Sequence, residues 1–320
     1  MADNKGGLVL MTFMSGGVAA GATRHPQLQA LIRDLRRYYV GYLFVLPSLI
    51  LLLIFVVAPV IASLYLSLTN WSILETPKWV GFANYKNAFM DPLVAKSTWN
   101  TLEYTVGVVF VGVPVSLILA LLVHGIPNRS MKIWLRSIYF LPVVLSTVVA
   151  AILWQLIYNT HFGILNYMLG ILHIPPVPWL EHTLWAMPAI IIMSIWKGAG
   201  YNMVILLAGL QDTPRDIIEA AQIDGATDWQ CMTKVMIPML RPIILLVMVL
   251  TLIGSFQVFE QVYVMTQGGP ADSTLTLVNY LYNNAFKYYK MGYASAISYL
   301  LFVIILAVSL AQFKLFRRLD

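Results

Sequence analysis

The sequence predicts an all-α integral membrane protein with six transmembrane helices, and three observations carry the prediction. Of its 320 residues, 59% are hydrophobic and 11% charged, with a mean hydropathy of +0.77. A soluble domain of that size needs far more charge on its surface. Apolar stretches of about 20 residues, the length that crosses a hydrocarbon core, recur at 42–68, 101–123, 138–158, 184–207, 242–265 and 294–315. Finally, Lys and Arg are partitioned. Fourteen of the twenty fall in the N-terminus, the second and fourth loops and the C-terminus; five fall in the other loops, and Lys197 lies inside a span. Basic residues stay on the cytoplasmic side, so both termini are expected there. The net charge of +6 reflects this topology and calls for no nucleic acid. The single cysteine, Cys231, excludes an internal disulfide and a cysteine-based metal cluster, and is expected to be an ordinary helix residue.

Residues 1–40 are expected to form a cytoplasmic N-terminal segment. The glycine-rich stretch 1–23 has a faint signal-peptide look, but Arg33, Arg36 and Arg37 stand directly before the first strong span and retain the N-terminus inside. Between 27 and 39, aliphatic residues at helical spacing opposite arginines predict an amphipathic lead-in at the interface, in contact with lipid. The membrane-spanning body runs over 41–315, beginning with a span that carries Pro47 and Pro59, both tolerable in lipid. Next comes an external segment, 70–100, whose Trp71, Trp79 and Tyr85 suit either a headgroup-level belt or an external partner. Loop 124–136 is short and basic. The second external loop, 159–183, has no Lys or Arg and can form a cap or a short interfacial helix. In the third, 266–293, Gly268-Gly269-Pro270 marks a turn and Lys287-Tyr288-Tyr289-Lys290 a surface anchor. Residues 316–320 form a short cytoplasmic tail.

One polar segment, 211–240, interrupts the apolar pattern and holds five of the fourteen acidic residues: Asp212, Asp216, Glu219, Asp224 and Asp228. Thr213 and Pro214, at N-cap and first helical position, with Asp216 in the first turn, predict a helix over 214–224. Gly225 ends it, and Thr227 or Asp228 caps a second helix that runs to Pro238. Within this segment, Glu219-Ala220-Ala221, three residues, Gly225, and after a further nine residues Val235-Met236-Ile237-Pro238 resemble the coupling loop of permease subunits in binding-protein-dependent ABC importers. The flanks 208–211 and 223–226, Thr266-Gln267-Gly268-Gly269-Pro270 and Trp79-Val80-Gly81-Phe82-Ala83-Asn84-Tyr85 are similar to the maltose-type sugar permeases in particular.

Across roughly residues 40–315, the resemblance implies the type I ABC importer permease fold with a cytoplasmic coupling helix. It implies a bacterial or archaeal cell membrane location and a second, homologous permease subunit. Two ATPase subunits and an extracytoplasmic solute-binding protein complete the implied assembly. In the coupling loop, Glu219 is expected to face a basic group of the ATPase, with Ala220 and Ala221 allowing close approach, Asp224 and Gly225 forming the bend, and Ile218 and Trp229 as apolar anchors.

A solute pathway needs polar groups at membrane depth, where lipid-facing placement is costly. Ser146 and Thr147 in the third span, Ser194, Lys197, Gly198 and Tyr201 in the fourth, and Thr251, Gly254, Ser255, Gln257 and Glu260 in the fifth meet that need. Ser194, Tyr201, Ser255 and Gln257 can bond sugar hydroxyls, and Trp196, Tyr201 and Phe256 can face the apolar side of a sugar ring. Maltose-type permeases hold solute at positions matching Ser194, Lys197, Gly198, Tyr201, Thr251, Gly254 and Ser255. Lys197 can pair with Glu260 or meet an anionic solute such as a glycerol phosphate.

No Gly-x-x-x-x-Gly-Lys-Ser/Thr phosphate loop occurs, so the chain is not the ATPase; ATP and Mg are expected on a separate subunit, with no cofactor or metal site here. The five histidines are scattered in loops. An ion-coupled secondary transporter is the alternative from another class, but it calls for inverted repeats and a midplane carboxylate relay; no repeat is evident, and Glu260 stands alone.

Overall fold

Apolar length sets the long helices, and polar interruptions set where they break. The structure, a computed structural model, describes residues 38–73 and 75–316. The glycine-rich stretch 1–23, the amphipathic lead-in up to 37 and the tail from 317 lie outside the described residues. The chain divides into two units, the first ending at Pro59 and the second starting at Val60. In the first, the described residues after Tyr38 are helical, with Pro47 and a π-turn at Leu53–Val57, and belong to helix α1 (Tyr39–Ser67).

In the second unit, a two-residue hairpin, β1 (Thr69–Asn70) with β2 (Lys78–Trp79), leads into α2 (Ala83–Met90) and α3 (Pro92–His124). Helix α4 (Arg129–Val144) is followed by α5 (Thr147–Ile157), a bend of 98° separating them. Then come α6 (Ile164–Ile171), α7 (Thr183–Gln211), α8 (Arg215–Ile223), α9 (Asp228–Met239) and, after a 62° bend, α10 (Arg241–Phe256). Short helices α11 (Glu260–Met265) and α12 (Leu277–Tyr282) precede α13 (Met291–Phe316). Among the described residues four helices are long and apolar enough to cross a membrane, and six spans result when each bent pair counts as one.

Three expected boundaries are corrected. The basic loop is shorter than 124–136, because Asn128 caps α4 by accepting the Met131 amide at 3.1 Å, so Arg129, Lys132 and Arg136 ride on a helix. The third span is broken, because Leu145 and Ser146 adopt extended backbone. The fifth ends at Phe256 instead of Met265. At that break the Val258 carbonyl is taken by a side chain, Thr276 donating to it at 3.1 Å, and Asn279 adds a second bond at 3.3 Å to Phe259 O, which already accepts the Tyr263 amide.

Helix α7 is the centre of the packing. Its Met187, Ile190 and Met193 join Tyr104, Ala150, Tyr158 and Val262 in one core, and its Met203, Leu206 and Leu210 join Val113, Ala120, Leu240 and Val247 in another. Gly200 lets α7 approach α4 so closely that an added Cβ would collide with the Tyr139 carbonyl oxygen. In the second external loop α6 forms, and Asn166 ties the loop together. Its amide donates to Thr160 O and Val177 O and accepts from the Val177 amide and the Trp179 indole. Tyr85 is held by the Ser67 hydroxyl at 2.8 Å, a structural contact inside the protein.

Candidate functional site

Two regions collect the polar residues that the sequence singles out. The first is a cavity of about 290 Å³ walled by α3, α4, α5, α7, α10 and α11. Thr147, Ser194, Lys197, Gly198, Tyr201, Thr251, Gly254 and Ser255 all line it, joined by Tyr104, Val108, Val143, Asn202, Leu250 and Gln261. Spacing explains the convergence: 194, 197, 198 and 201 fall on one face of α7, and 251, 254 and 255 on one face of α10. Asn202 donates to the Thr251 hydroxyl at 3.1 Å and so joins the two helices.

The hydroxyl protons of Ser194 and Ser255 are used locally, donated to Ile190 O at 2.8 Å and Thr251 O at 2.7 Å. Their oxygens therefore remain as acceptors only, and that of Ser194 lies within hydrogen-bonding reach of the Tyr104 hydroxyl. Lys197 and Tyr201 make no hydrogen bond among the described residues, which leaves an ammonium and a phenol as its available donors. Among the described residues no carboxylate lines the cavity.

Three expected pathway residues and two expected ring-facing residues lie elsewhere. Ser146 is exposed at the break between α4 and α5. Gln257 caps the C-terminus of α10 and is exposed; Glu260 is exposed in the first turn of α11, which packs on α5, where Gln155 donates to Val264 O at 2.9 Å, and which turns Gln261 in place of Glu260 to the cavity. No ion pair joins Lys197 to Glu260 among the described residues. The ring of Phe256 is 2% exposed within a core and is no wall of the cavity, while Trp196 stacks edge-on against Trp154 at 5.5 Å. Tyr104 was not legible as a wall residue: only an isolated tyrosine within an apolar run signalled it.

The second region is the helix-turn-helix α8–α9. Glu219, Ala220, Asp224 and Gly225 are exposed and Ala221 half-buried. Gly225 has a φ of +87°, its amide bonds Gln222 O at 3.0 Å, and the next amide, Ala226, reaches back to Ala221 O at 2.9 Å. This is a Schellman end to α8, for which glycine suits the left-handed position. Thr227 then opens α9 with a capping box: its hydroxyl accepts the Gln230 amide at 3.3 Å while Gln230 Oε1 accepts the Thr227 amide at 2.9 Å.

Details differ from expectation. Pro214, with extended backbone, occupies the N-cap in place of Thr213, so α8 starts one residue later. Pro238 does not stop α9; a π-turn at Cys231–Met236 precedes it, and the helix continues to Met239. Cys231 is a buried free thiol. Ile218 packs inward on the core beneath α8 and cannot serve as an outward anchor, whereas Trp229 is 68% exposed. Ile223, which the sequence did not single out, is 86% exposed on the same protrusion.

Comparisons with known proteins agree with this architecture. Residues 112–320 match the family described as "Binding-protein-dependent transport system inner membrane component". The trehalose/maltose transport system permease protein of Thermococcus litoralis is 36% identical over 291 residues, covering 88% of this chain and 96% of that protein. The lactose transport system permease protein of Rhizobium radiobacter is 36% identical over 289 residues, covering 88% and 95%. A chain from the crystal structure of a bacterial ABC transporter involved in the import of the acidic polysaccharide alginate superposes with a TM-score of 0.80 at 26% identity, covering 90% of this chain and 99% of that one. The chain therefore belongs to the inner membrane components of binding-protein-dependent ABC transport systems, with the type I importer permease fold.

Proposed function

We propose that the chain is one of two homologous permease subunits that pass a sugar or oligosaccharide inward by alternating access, with the cavity between α7 and α10 as its solute site. The observation that carries the reading is the gathering of Ser194, Lys197, Tyr201, Thr251 and Ser255 around one polar cavity between apolar spans. Hydroxyl acceptors next to an ammonium and a phenol suit sugar hydroxyls, and the exposed ring of Tyr201 suits a sugar's C–H face. Relatives that carry trehalose and maltose, or lactose, in their names support a sugar as solute.

In this reading residues 41–315 are the permease domain and both termini are cytoplasmic, which places segment 211–240 in the cytoplasm beside two separate ATPase subunits that bind ATP and Mg. Glu219 meets a basic group there, Ala220 and Ala221 permit close approach, and Trp229 with Ile223 enters an apolar cleft. Motion of α8–α9 reaches the cavity through α7 and α10, which flank the protrusion in sequence. An extracytoplasmic binding protein delivers solute to the opposite face. ATP-driven uptake by the reconstituted complex, lost on removal of the ATPase, tests the reading; uptake that persists without it would favour an ion-coupled carrier.

A second reading, an anionic solute, is favoured by Lys197, the cation on a cavity wall without a carboxylate among the described residues. Lys197→Ala distinguishes the two. It abolishes uptake of an anionic solute and leaves uptake of a neutral sugar within a few fold.

A further inference from the structure

A second polar pocket, of about 530 Å³, opens at the far end of α3 from the α8–α9 protrusion. Helix α3 fixes the geometry: its last residue, His124, shares a cleft with Glu219 of α8, and its first, Pro92, lines this pocket. From Asp91 here to Tyr104 of the solute cavity is about 20 Å along a helix, and no described residue lines both spaces.

The deepest polar groups of this pocket are acceptors. Asn84 is 7% exposed and Asn284 3%. The Asn84 amide donates to Ser67 O at 2.9 Å and Thr69 O at 2.8 Å, and that of Asn284 to Tyr280 O at 2.9 Å. Among the described residues neither carboxamide oxygen has a partner, and neither is sealed from solvent. Buried polar atoms rarely go unpaired, so both oxygens call for a donor inside the pocket. Asp91, which also lines it, adds a negative charge. The mouth supplies donors: Asn70, Asn87 and Lys290 are exposed, and their side chains make no hydrogen bond among the described residues.

Asp91 and Lys290 cancel, so the described lining carries no net charge, and Met90, Pro92 and the rings of Tyr280 and Tyr293 contribute apolar surface. A hydroxyl both donates and accepts. A ring bearing several hydroxyls, with an apolar C–H face, therefore satisfies deep acceptors and outer donors together without bringing a charge. A basic side chain would suit the deep oxygens but meet Lys290 at the mouth, and an anion would meet Asp91.

We propose that this pocket is a saccharide site on the face from which solute enters, separate from the cavity between α7 and α10, with ring hydroxyls donating to Asn84 Oδ1 and Asn284 Oδ1 and accepting from Asn87 and Lys290. The saccharide chemistry rests on the pocket alone; that the occupant is the transported sugar, held before entry, rests on the importer reading above.

Saturation-transfer difference NMR tests it on the complete transporter in nanodiscs, without binding protein or nucleotide, using maltose, trehalose and lactose in turn and L-arginine amide as the basic probe. At least one sugar is expected to receive saturation, and to keep receiving it in Gly254→Trp, which fills the cavity from a position where an added Cβ meets nothing within 4 Å. Gly198→Trp, equally open, replaces that variant if it does not assemble. Asn87→Trp, which fills the mouth of the pocket, is expected to reduce the transfer at least threefold. Lys290→Met is expected to do the same and serves if Asn87→Trp does not assemble. Transfer abolished by filling the cavity overturns the proposal, as does transfer that neither pocket variant reduces, transfer to L-arginine amide alone, or no transfer at all. ATP-driven uptake by the same complex with its binding protein, measured in parallel, tests the importer reading and does not depend on any of these failures.

Discussion

The Tyr280 hydroxyl donates to the Asp91 carboxylate at 2.5 Å, and Tyr293 donates to the same oxygen at 2.7 Å. Asp91 also caps α3 by accepting the Leu93 amide at 2.9 Å. One carboxylate thus fastens the starts of α3 and α13 to the end of α12. Burial pushes its pKa up, but the two hydroxyls and the backbone amides of Leu93 and Val94 outweigh that, and the net shift is downward from 3.8. Burial, then the neighbouring Asp91, raises the Tyr280 pKa to about 12. A depressed carboxylate stabilises the fold above its unfolded pKa, and that stability is lost as pH falls through the folded value. Asp91→Asn should therefore lower stability by about 1–2 kcal/mol at pH 7, with the gap to wild type narrowing under acid below about pH 4. Thermal unfolding in detergent across pH measures both.

At the protrusion, Gly225→Ala places a Cβ on a backbone with φ of +87° and should cost about 1 kcal/mol of local stability. Glu219→Ala leaves α8 folded, since Glu219 makes no hydrogen bond among the described residues. Uptake by the assembled complex is expected to fall tenfold or more with Glu219→Ala while the permease pair still expresses. Normal uptake and normal solute-stimulated ATP hydrolysis would refute the coupling role.

Two glycines of α7 should behave in opposite ways. Gly200→Ala drives a methyl into the Tyr139 carbonyl, and overpacking of that kind costs about 1–3 kcal/mol. Gly198→Ala meets nothing within 4 Å but narrows the cavity that Gly198 lines. It should leave the melting temperature unchanged and raise the KM for uptake, a split that thermal shift and uptake kinetics resolve.

Asn166 makes four hydrogen bonds within the loop that carries α6. Asn166→Leu leaves the Thr160 carbonyl, the Val177 amide and the Trp179 indole unpaired, while Val177 O keeps the Trp179 amide, at a cost of about 2–3 kcal/mol. Proteolysis should then cut between 159 and 183 in the variant, and protection equal to wild type would show that the loop is held by other contacts.

Membrane insertion, span count, basic-residue partition and the polar helix-turn-helix at 211–240 were determined by the sequence alone. Each follows from properties local in the chain: apolar length, loop charge, and the spacing of Gly225 and Thr227 around a turn. The one-face clustering on α7 was legible too, because helical periodicity puts 194, 197, 198 and 201 together wherever the helix goes. Only the tertiary structure decided which polar groups meet. Gln257 and Glu260 fall outside the cavity while Gln261 on the same α11 lines it, because α10 ends at Phe256 and α11 packs on α5 with only one face toward the cavity. Ile218 turns inward and Ile223 outward, since the core under α8 settles which apolar side chain is covered. Contacts between residues far apart in the chain have no local period, so no pattern along the sequence encodes them.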